Sequence, residues 1–235
     1  INLLSPIGTK NPYFFEFGWK EITNNENGIE LPNSQTIWTP SSKLLSPSST
    51  LTLNWENKQG IIFKIHFQID DDYMFLVDQE IINNSSKTIN VFPYRLIKRV
   101  NIPDTINFFI LHEGLISLFN NELLEKDYDD LIDDCSSNAK ILAEFCNNKS
   151  IGGWLGFTDK YWLTALIPNQ SDDININYRH SKKSGHDSFR AGYAGNVIEI
   201  NSNNSAIYQG RLFAGAKVVK ILKKYQKEKL VVRFI

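Results

Sequence analysis

The chain lacks most of the short motifs that would identify an enzyme or a membrane span at once. It has no run of 18 apolar residues, so no segment is predicted to cross a bilayer as a helix. It has no Gly-x-Ser-x-Gly motif, no glycine-rich phosphate loop, and no His-x-x-x-His or Cys-x-x-Cys pair. His180 and His186 flank a polar loop, which does not favour a metal centre. We therefore expect no catalytic residues of these classes, no metal ion and no cofactor.

The 235 residues include only two cysteines and one methionine. Cys135 and Cys146 either form a disulfide in an oxidising compartment or remain two thiols, and their spacing does not decide between these states. Met74 is internal, while the chain opens at Ile1 and stops at Ile235 with no cap, glycine or polar tail. We expect a domain cut from a longer protein.

Charge is balanced overall but unevenly distributed. A net charge of −1 gives no general attraction to nucleic acid or anionic lipid. Residues 122–134 are acidic, whereas the last segment places lysines on one helical face and Val, Ile and Leu on the other. This pattern predicts an amphipathic helix over 214–230 that docks on the rest of the domain or on a membrane surface. The candidate membrane contacts are Lys217, Lys220 and Lys224.

Strand patterns dominate the rest of the chain. Residues 61–69 alternate apolar and polar side chains, and residues 73–82 follow after a short acidic turn, which predicts a hairpin. Other strands are predicted at 50–55, 88–98, 108–112, 140–145, 154–158, 162–167, 174–180, 197–200 and 206–214. A helical turn is predicted near 120–126 and a loop at 39–49. Many short strands indicate an all-β domain, either a large antiparallel sandwich or a barrel.

General acid–base catalysis is the enzymatic alternative, because a large sandwich can pair a histidine with a carboxylate. The candidate pairs are His112 with Glu113 and His66 with Asp70. Adjacent strand residues point to opposite faces, so the first pair converges only if its strand has ended. Solvated surface histidines are the favoured interpretation. A nucleic-acid surface is not expected, because basic residues cluster only in the terminal helix without an aromatic platform.

Several motifs occur in a distinctive order. They are Leu4-Ser-Pro-Ile-Gly8, Glu16-Phe-Gly-Trp19, Phe92-Pro-Tyr-Arg-Leu-Ile-Lys-Arg99, Phe109-Ile-Leu-His-Glu-Gly114, Gly153-Trp-Leu-Gly-Phe-Thr-Asp-Lys-Tyr-Trp162, Ala165-Leu-Ile-Pro168 and Leu212-Phe-Ala-Gly-Ala-Lys217. Over nearly the whole chain their order and spacing resemble the large periplasmic domain of the YidC membrane protein insertases, and the stretch over residues 153–168 is the most specific.

The resemblance implies a fold, a location and a function. The fold would be a single β-supersandwich over 1–235, similar to galactose mutarotases and ending in an α-helix. The domain would lie on the periplasmic side of the inner membrane, with no enzymatic role of its own. The family inserts and folds nascent inner-membrane proteins, alone or with the Sec translocon and SecD/SecF.

The resemblance also implies where partners bind. The stretch over 111–168 would face SecD/SecF, with Trp154, Asp159 and Tyr161 as candidate contacts. A cleft with aromatic side chains and open strand edges could hold extended segments of substrate proteins. The alternative function is a sugar-binding or aldose-epimerase-like enzyme domain, which requires a histidine and a carboxylate in one pocket.

Overall fold

The computed structural model describes residues 3–22, 28–103, 112–136, 142–228 and 230–231. The strands found there are β1 (Tyr13–Glu21), β2 (Thr39–Pro40), β3 (Leu51–Glu56), β4 (Ile61–Ile69), β5 (Met74–Asn83), β6 (Ile89–Val100), β7 (Gly114–Phe119), β8 (Glu122–Lys126), β9 (Asn147–Ile151), β10 (Trp154–Thr158), β11 (Trp162–Pro168), β12 (Asp173–Lys183), β13 (His186–Ala194), β14 (Ile198–Ile200) and β15 (Asn204–Ala216). The helices are α1 (Tyr128–Asp134), a 3-10 helix (Glu144–Cys146) and α2 (Val219–Lys227). None of the helices in these ranges is long and apolar enough to span a bilayer.

The strands form two antiparallel sheets. One has the order β1-β6-β13-β12-β9, with β14 beside β6, and the other has the order β2-β3-β4-β5-β15-β11-β10-β7-β8. Strands account for 55% of the described residues and helices for 9%. The predicted all-β class, with the antiparallel sheets of a supersandwich and one C-terminal helix, is confirmed.

The hairpin of β4 and β5 shows why the alternating pattern gives a strand. Ile61 and Phe63 are buried while Ile62 between them is half-buried, so one face of the strand enters the core. Phe63 pairs with Ile81 across the hairpin, and Ile81 is also fully buried. Burying each such side chain contributes about 1.5–3 kcal/mol, which fixes the register of the two strands.

The chain divides into two compact units. The first contains Ile1–Glu16, Arg95–Tyr193 and Phe213–Ile235, and the second contains Phe17–Tyr94 and Ala194–Leu212. Large buried side chains of the first unit are Trp154, Phe157, Tyr178, Phe189 and Phe213. Those of the second unit include Trp19, Ile61, Phe63, Val77 and Ile81. The single domain expected over 1–235 stays a prediction, and every candidate contact residue lies in the first unit.

The region around the acidic segment differs from the sequence prediction. Residues 122–126 form strand β8 rather than a helical turn, because Asn120 and Asn121 adopt positive φ and turn the chain back against β7. The helix begins later, at Tyr128, after Asp127 caps it. The strand predicted at 140–145 is wrong where the chain is described, since Glu144–Cys146 is a 3-10 helix. The strand predicted at 108–112 lies outside the described residues except at His112.

The C-terminal helix is shorter than the predicted 214–230. Residues 214–216 complete strand β15, so α2 begins only at Val219. Its apolar side packs inward through Leu222 and Tyr225, and the Tyr225 ring meets Phe213 edge-on at 6.1 Å between centroids. Packing of this apolar face, rather than a side-chain N-cap, holds the helix.

Candidate functional site

The hairpin of β10 and β11 forms the rigid base of the candidate site. Trp154–Thr158 is buried at every position and pairs with β7 on one side and β11 on the other. Gly156 lies so close to the backbone of Thr164 that a side-chain carbon would clash. The hairpin closes through a hydrogen bond of 2.9 Å from the Asp159 backbone N–H to the Trp162 carbonyl. The turn between the strands is therefore held from below by close packing.

Arg99 anchors this turn. Its Nη1 donates to the Asp159 carboxylate at 2.7 Å and to the Tyr128 hydroxyl at 3.0 Å. The guanidinium also lies over the Tyr13 ring, 4.4 Å from its centroid, and Tyr13 in turn hydrogen-bonds Thr164. Only 12% of the Arg99 side chain and 21% of the Asp159 side chain are exposed. One arginine thus ties together strand β1, helix α1 and the β10–β11 turn.

The electrostatics of these groups favour fixed charges over proton transfer. Burial raises the pKa of the Tyr13 and Tyr128 hydroxyls well above its ordinary value, although the charge of Arg99 opposes the shift. Burial alone would lower the pKa of Arg99, but Tyr128, Tyr13 and Asp159 outweigh it and raise that pKa. At neutral pH the tyrosines stay protonated and the arginine stays charged, which suits an anchor.

Lys217 connects the same turn to the start of helix α2. Its Nζ donates to the Thr158 hydroxyl at 2.8 Å, and its backbone N–H donates to the Tyr161 carbonyl at 2.8 Å. Burial lowers the pKa of Lys217, although Asp159, Glu113 and Glu125 oppose the shift. Glu113 also accepts a hydrogen bond of 3.0 Å from the Lys160 backbone. The ammonium of this predicted membrane contact is therefore half-buried and engaged within the protein.

The other candidate contacts fall in three different environments. Trp154 is 1% exposed, so its side chain offers no surface to a partner and instead fills the core. Tyr161 is 62% exposed, with Lys160 Nζ 4.9 Å from its ring centroid. Lys220 and Lys224 are exposed on α2. The structure thus brings Asp159, Tyr161 and Lys217 together, whereas Trp154 serves only as support.

An acidic surface lies on β8 and α1. Its exposed members are Glu122, Glu125, Asp127, Asp129 and Asp133. Lys126 lies 3.8 Å from Asp130 and 3.6 Å from Asp134, so it offsets part of the charge. A reciprocal capping box between Asp127 and Asp130 fixes the start of α1. We call this set of exposed carboxylates the acidic surface.

A disulfide fixes the other end of α1. Cys135 and Cys146, which the sequence left either paired or free, are bonded, with their Cα atoms 5.7 Å apart. Both sulfurs belong to fully buried residues. The bond joins Cys135, the residue directly after α1, to Cys146 in the 3-10 helix, so α1 is held at both ends.

The histidines do not form the pairs that the sequence suggested. His66 Nε2 lies 2.9 Å from Glu80, not beside Asp70, and both side chains are partly exposed. His112 Nε2 lies 2.7 Å from the Leu115 carbonyl, whereas Glu113 binds the backbone of Lys160. Neither candidate pair is formed, because cross-strand neighbours and backbone groups lie closer to these histidines than the carboxylates nearby in sequence.

One histidine–carboxylate pair was missed. His180 is 4% exposed, and its Nε2 donates to Asp187 at 2.9 Å across the β12–β13 hairpin. Burial would raise the pKa of Asp187, but hydrogen bonds from His180 and Lys182 outweigh it and hold that pKa below its ordinary value. Among the described residues no group of three or more His, Cys, Asp or Glu side chains is arranged to hold a metal ion.

A family model and the curated relatives of this chain agree on one family. Residues 1–234 match the family described as YidC periplasmic domain. The chain is 36% identical over 229 residues to the membrane protein insertase YidC of Granulibacter bethesdensis, and 37% identical over 229 residues to that of Rickettsia prowazekii. In both cases the match covers 97% of this chain and 39% of the relative. The chain thus spans about two fifths of the length of these relatives.

Solved structures with a similar chain path are distant in sequence. An alpha-galactosidase from Geobacillus stearothermophilus is 8% identical with a TM-score of 0.48, covering 94% of this chain and 30% of that chain. A galactose mutarotase-like protein from Lactobacillus casei is 10% identical with a TM-score of 0.37, covering 76% of this chain and 72% of that chain. The fold therefore stands on the sheet topology of this chain itself.

Proposed function

The chain belongs to the YidC periplasmic domain family, and we propose that it is the periplasmic part of an inner-membrane insertase that works by binding partners rather than by catalysis. Family membership confirms the resemblance found in the sequence. Insertion and folding of nascent inner-membrane proteins would belong to the longer protein, because the relatives named as insertases are more than twice as long as this match.

The observation that carries the proposal is the anchoring of the acidic surface. Helix α1 is only seven residues long, too short to be stable alone, yet it has a capping box and a disulfide at its ends. Tyr128 in its first turn also receives a hydrogen bond from Arg99. Such fixing favours a preorganised surface for a partner, since less conformational entropy is lost on binding.

Charge points to the kind of partner. Asp129 and Asp133 are exposed on α1, and a basic surface would complement them and speed the encounter. The periplasmic loops of SecD/SecF, with the Sec translocon behind them, are the proposed partners, and nascent inner-membrane segments are a second class. Asp159 contributes indirectly, because it fixes Arg99 and through it Tyr128.

Capture of a purified SecF periplasmic loop by the chain tests this placement. The variant Asp129→Asn with Asp133→Asn should weaken binding about fivefold, since exposed charge pairs contribute about 0.2–1 kcal/mol each. The matched control, Glu56→Gln with Asp71→Asn, removes two exposed charges from the second unit and should change nothing. Equal binding by the two variants would refute the placement on α1.

A sugar-binding or epimerase-like activity is the second candidate. The observation that favours it is the pair of His66 and Glu80, whose side chains are 31% and 16% exposed and 2.9 Å apart. A polarimetric assay of aldose mutarotation distinguishes the two functions. We expect no turnover above the buffer rate; turnover that His66→Asn abolishes would favour the enzyme instead.

A further inference from the structure

A second exposed surface in the first unit combines an aromatic ring with two valines. Tyr161 is 62% exposed, Val218 is 44% exposed and Val219 is 52% exposed. The hydrogen bond from the Lys217 backbone N–H to the Tyr161 carbonyl joins the β10–β11 turn to the residue before Val218. The backbone bond therefore makes Tyr161 a neighbour of Val218 and Val219 at the start of α2, although they are far apart in sequence. We call these three exposed residues the apolar group.

Lysines lie on the same two segments as this apolar group. Lys160 lies against the Tyr161 ring, and the outward side of α2 carries four exposed lysines. They are Lys220, Lys223, Lys224 and Lys227. Because Leu222 and Tyr225 already bury the apolar side of α2 in the protein, the lysines face away from the core. A tyrosine and small apolar residues accompanied by lysines are typical of surfaces that lie at the lipid headgroup level.

The surface is also held in place. Lys217 Nζ donates to the Thr158 hydroxyl, and Arg99 donates to the carboxylate of Asp159, the residue that follows Thr158. The two bonds leave the Tyr161 side chain free to project while its backbone is fixed by Lys217. A preorganised contact of this kind loses little entropy when it meets another surface.

We propose that Lys160, Tyr161, Val218, Val219, Lys220 and Lys223 form a turn–helix surface that binds an anionic phospholipid bilayer. The Tyr161 ring and the two valines enter the headgroup region, and the lysines pair with lipid phosphates. Charge complementarity selects this occupant, since the described part of α2 carries four exposed lysines and no acidic residue. The inference rests on the proposed function, because an insertase domain works beside a bilayer.

Flotation of the chain with lipid vesicles tests the proposal. Binding to vesicles rich in phosphatidylglycerol should exceed binding to phosphatidylcholine vesicles, and added salt should weaken it. Lys220→Gln with Lys223→Gln should lower the bound-to-free ratio about thirtyfold, since each lysine near an anionic surface contributes about 1 kcal/mol. The matched control, Lys43→Gln with Lys58→Gln, removes two exposed lysines from the second unit and should leave binding unchanged.

A fluorescent label locates the contact. An environment-sensitive dye on Tyr161→Cys should brighten with anionic vesicles, whereas the same dye on Tyr73→Cys, an exposed tyrosine of the second unit, should not. A melting curve of each variant shows that it is folded. Absence of vesicle binding, equal binding to both lipids, or equal loss in the two lysine variants would overturn the proposal.

Lipid binding and partner binding are tested by different variants. Vesicle binding does not involve Asp129 or Asp133, and capture of a basic partner does not involve Lys220 or Lys223. If Tyr161→Ser weakens capture of the SecF loop and leaves vesicle binding intact, the turn–helix surface belongs to a protein partner and the lipid assignment fails. If capture fails while vesicle binding persists, the lipid assignment stands alone.

Discussion

Removing Arg99 should destabilise the fold more than removing any exposed arginine. The change Arg99→Met would leave the Asp159 carboxylate without the cation that it binds. The Asp159 side chain is only 21% exposed, so water replaces that cation poorly. Breaking a buried ion pair from one side costs about 3–5 kcal/mol, and the partial exposure here reduces that to about 2–4 kcal/mol. Loss of the contact over the Tyr13 ring adds about 0.5–1 kcal/mol. We therefore expect a loss of about 3 kcal/mol in the free energy of unfolding.

A double-mutant cycle measures the pair itself. Asp159→Asn should cost about 2 kcal/mol, because Arg99 loses its carboxylate and keeps only the hydrogen bond of Nη1 to Tyr128. The double variant should cost about 3 kcal/mol rather than the sum, which gives a coupling energy of about 2 kcal/mol.

Urea unfolding followed by tryptophan fluorescence and circular dichroism provides the numbers. The exposed arginine variant Arg190→Met is the control and should stay within about 0.5 kcal/mol of the unmodified chain. Additive losses for Arg99→Met and Asp159→Asn would show that the ion pair does not hold the turn, and the anchoring argument would fail.

Three further changes probe the disulfide, the half-buried carboxylate of Asp187 and the glycine of β10. Replacing Cys135 and Cys146 with serine opens a loop with a sequence separation of 11 and should cost about 3 kcal/mol, seen as a lower melting temperature; an unchanged melting temperature under reducing conditions would contradict it. The depressed pKa of Asp187 means that its stabilisation is present above an unfolded pKa of about 3.9 and is lost as pH falls through the folded value. Asp187→Asn should therefore flatten the acid limb of a stability-against-pH curve, and an unaltered limb would argue against the pair with His180. Gly156→Ala should lose about 3 kcal/mol or more in urea, because the added carbon meets the Thr164 backbone, whereas Gly185→Ala in an open turn should lose about 1 kcal/mol.

Sequence periodicity predicted the fold where one face of a strand is buried. The hairpin of β4 and β5 follows directly from alternating side chains, and Trp154–Thr158 begins and ends where the sequence predicted. The helical turn predicted at 120–126 was wrong. Glu and Leu in β8 have high helix propensity, but Asn120 and Asn121 adopt positive φ and form a turn. Pairing with β7 outweighs local propensity there.

The site was harder to predict than the fold. Asp159, Tyr161 and Lys217 were singled out from sequence, and they do meet, but the residue that organises them is Arg99. Arg99 ends one of the motifs quoted for the family resemblance, but that motif does not identify its partners, which are 29 and 60 residues away along the chain. Trp154 shows the converse error, since an aromatic residue in a specific motif proved to be core. Long-range contacts of this kind carry no short-range pattern.

Photo-crosslinking in cells tests the central claim most directly. A photoreactive residue at Asp133 of the longer insertase should crosslink to a SecD or SecF periplasmic loop, whereas the same residue at Glu56 should give no such product. Equal products at both positions, or none at Asp133 in an insertase that still supports insertion, would contradict the proposal that the acidic surface binds this partner.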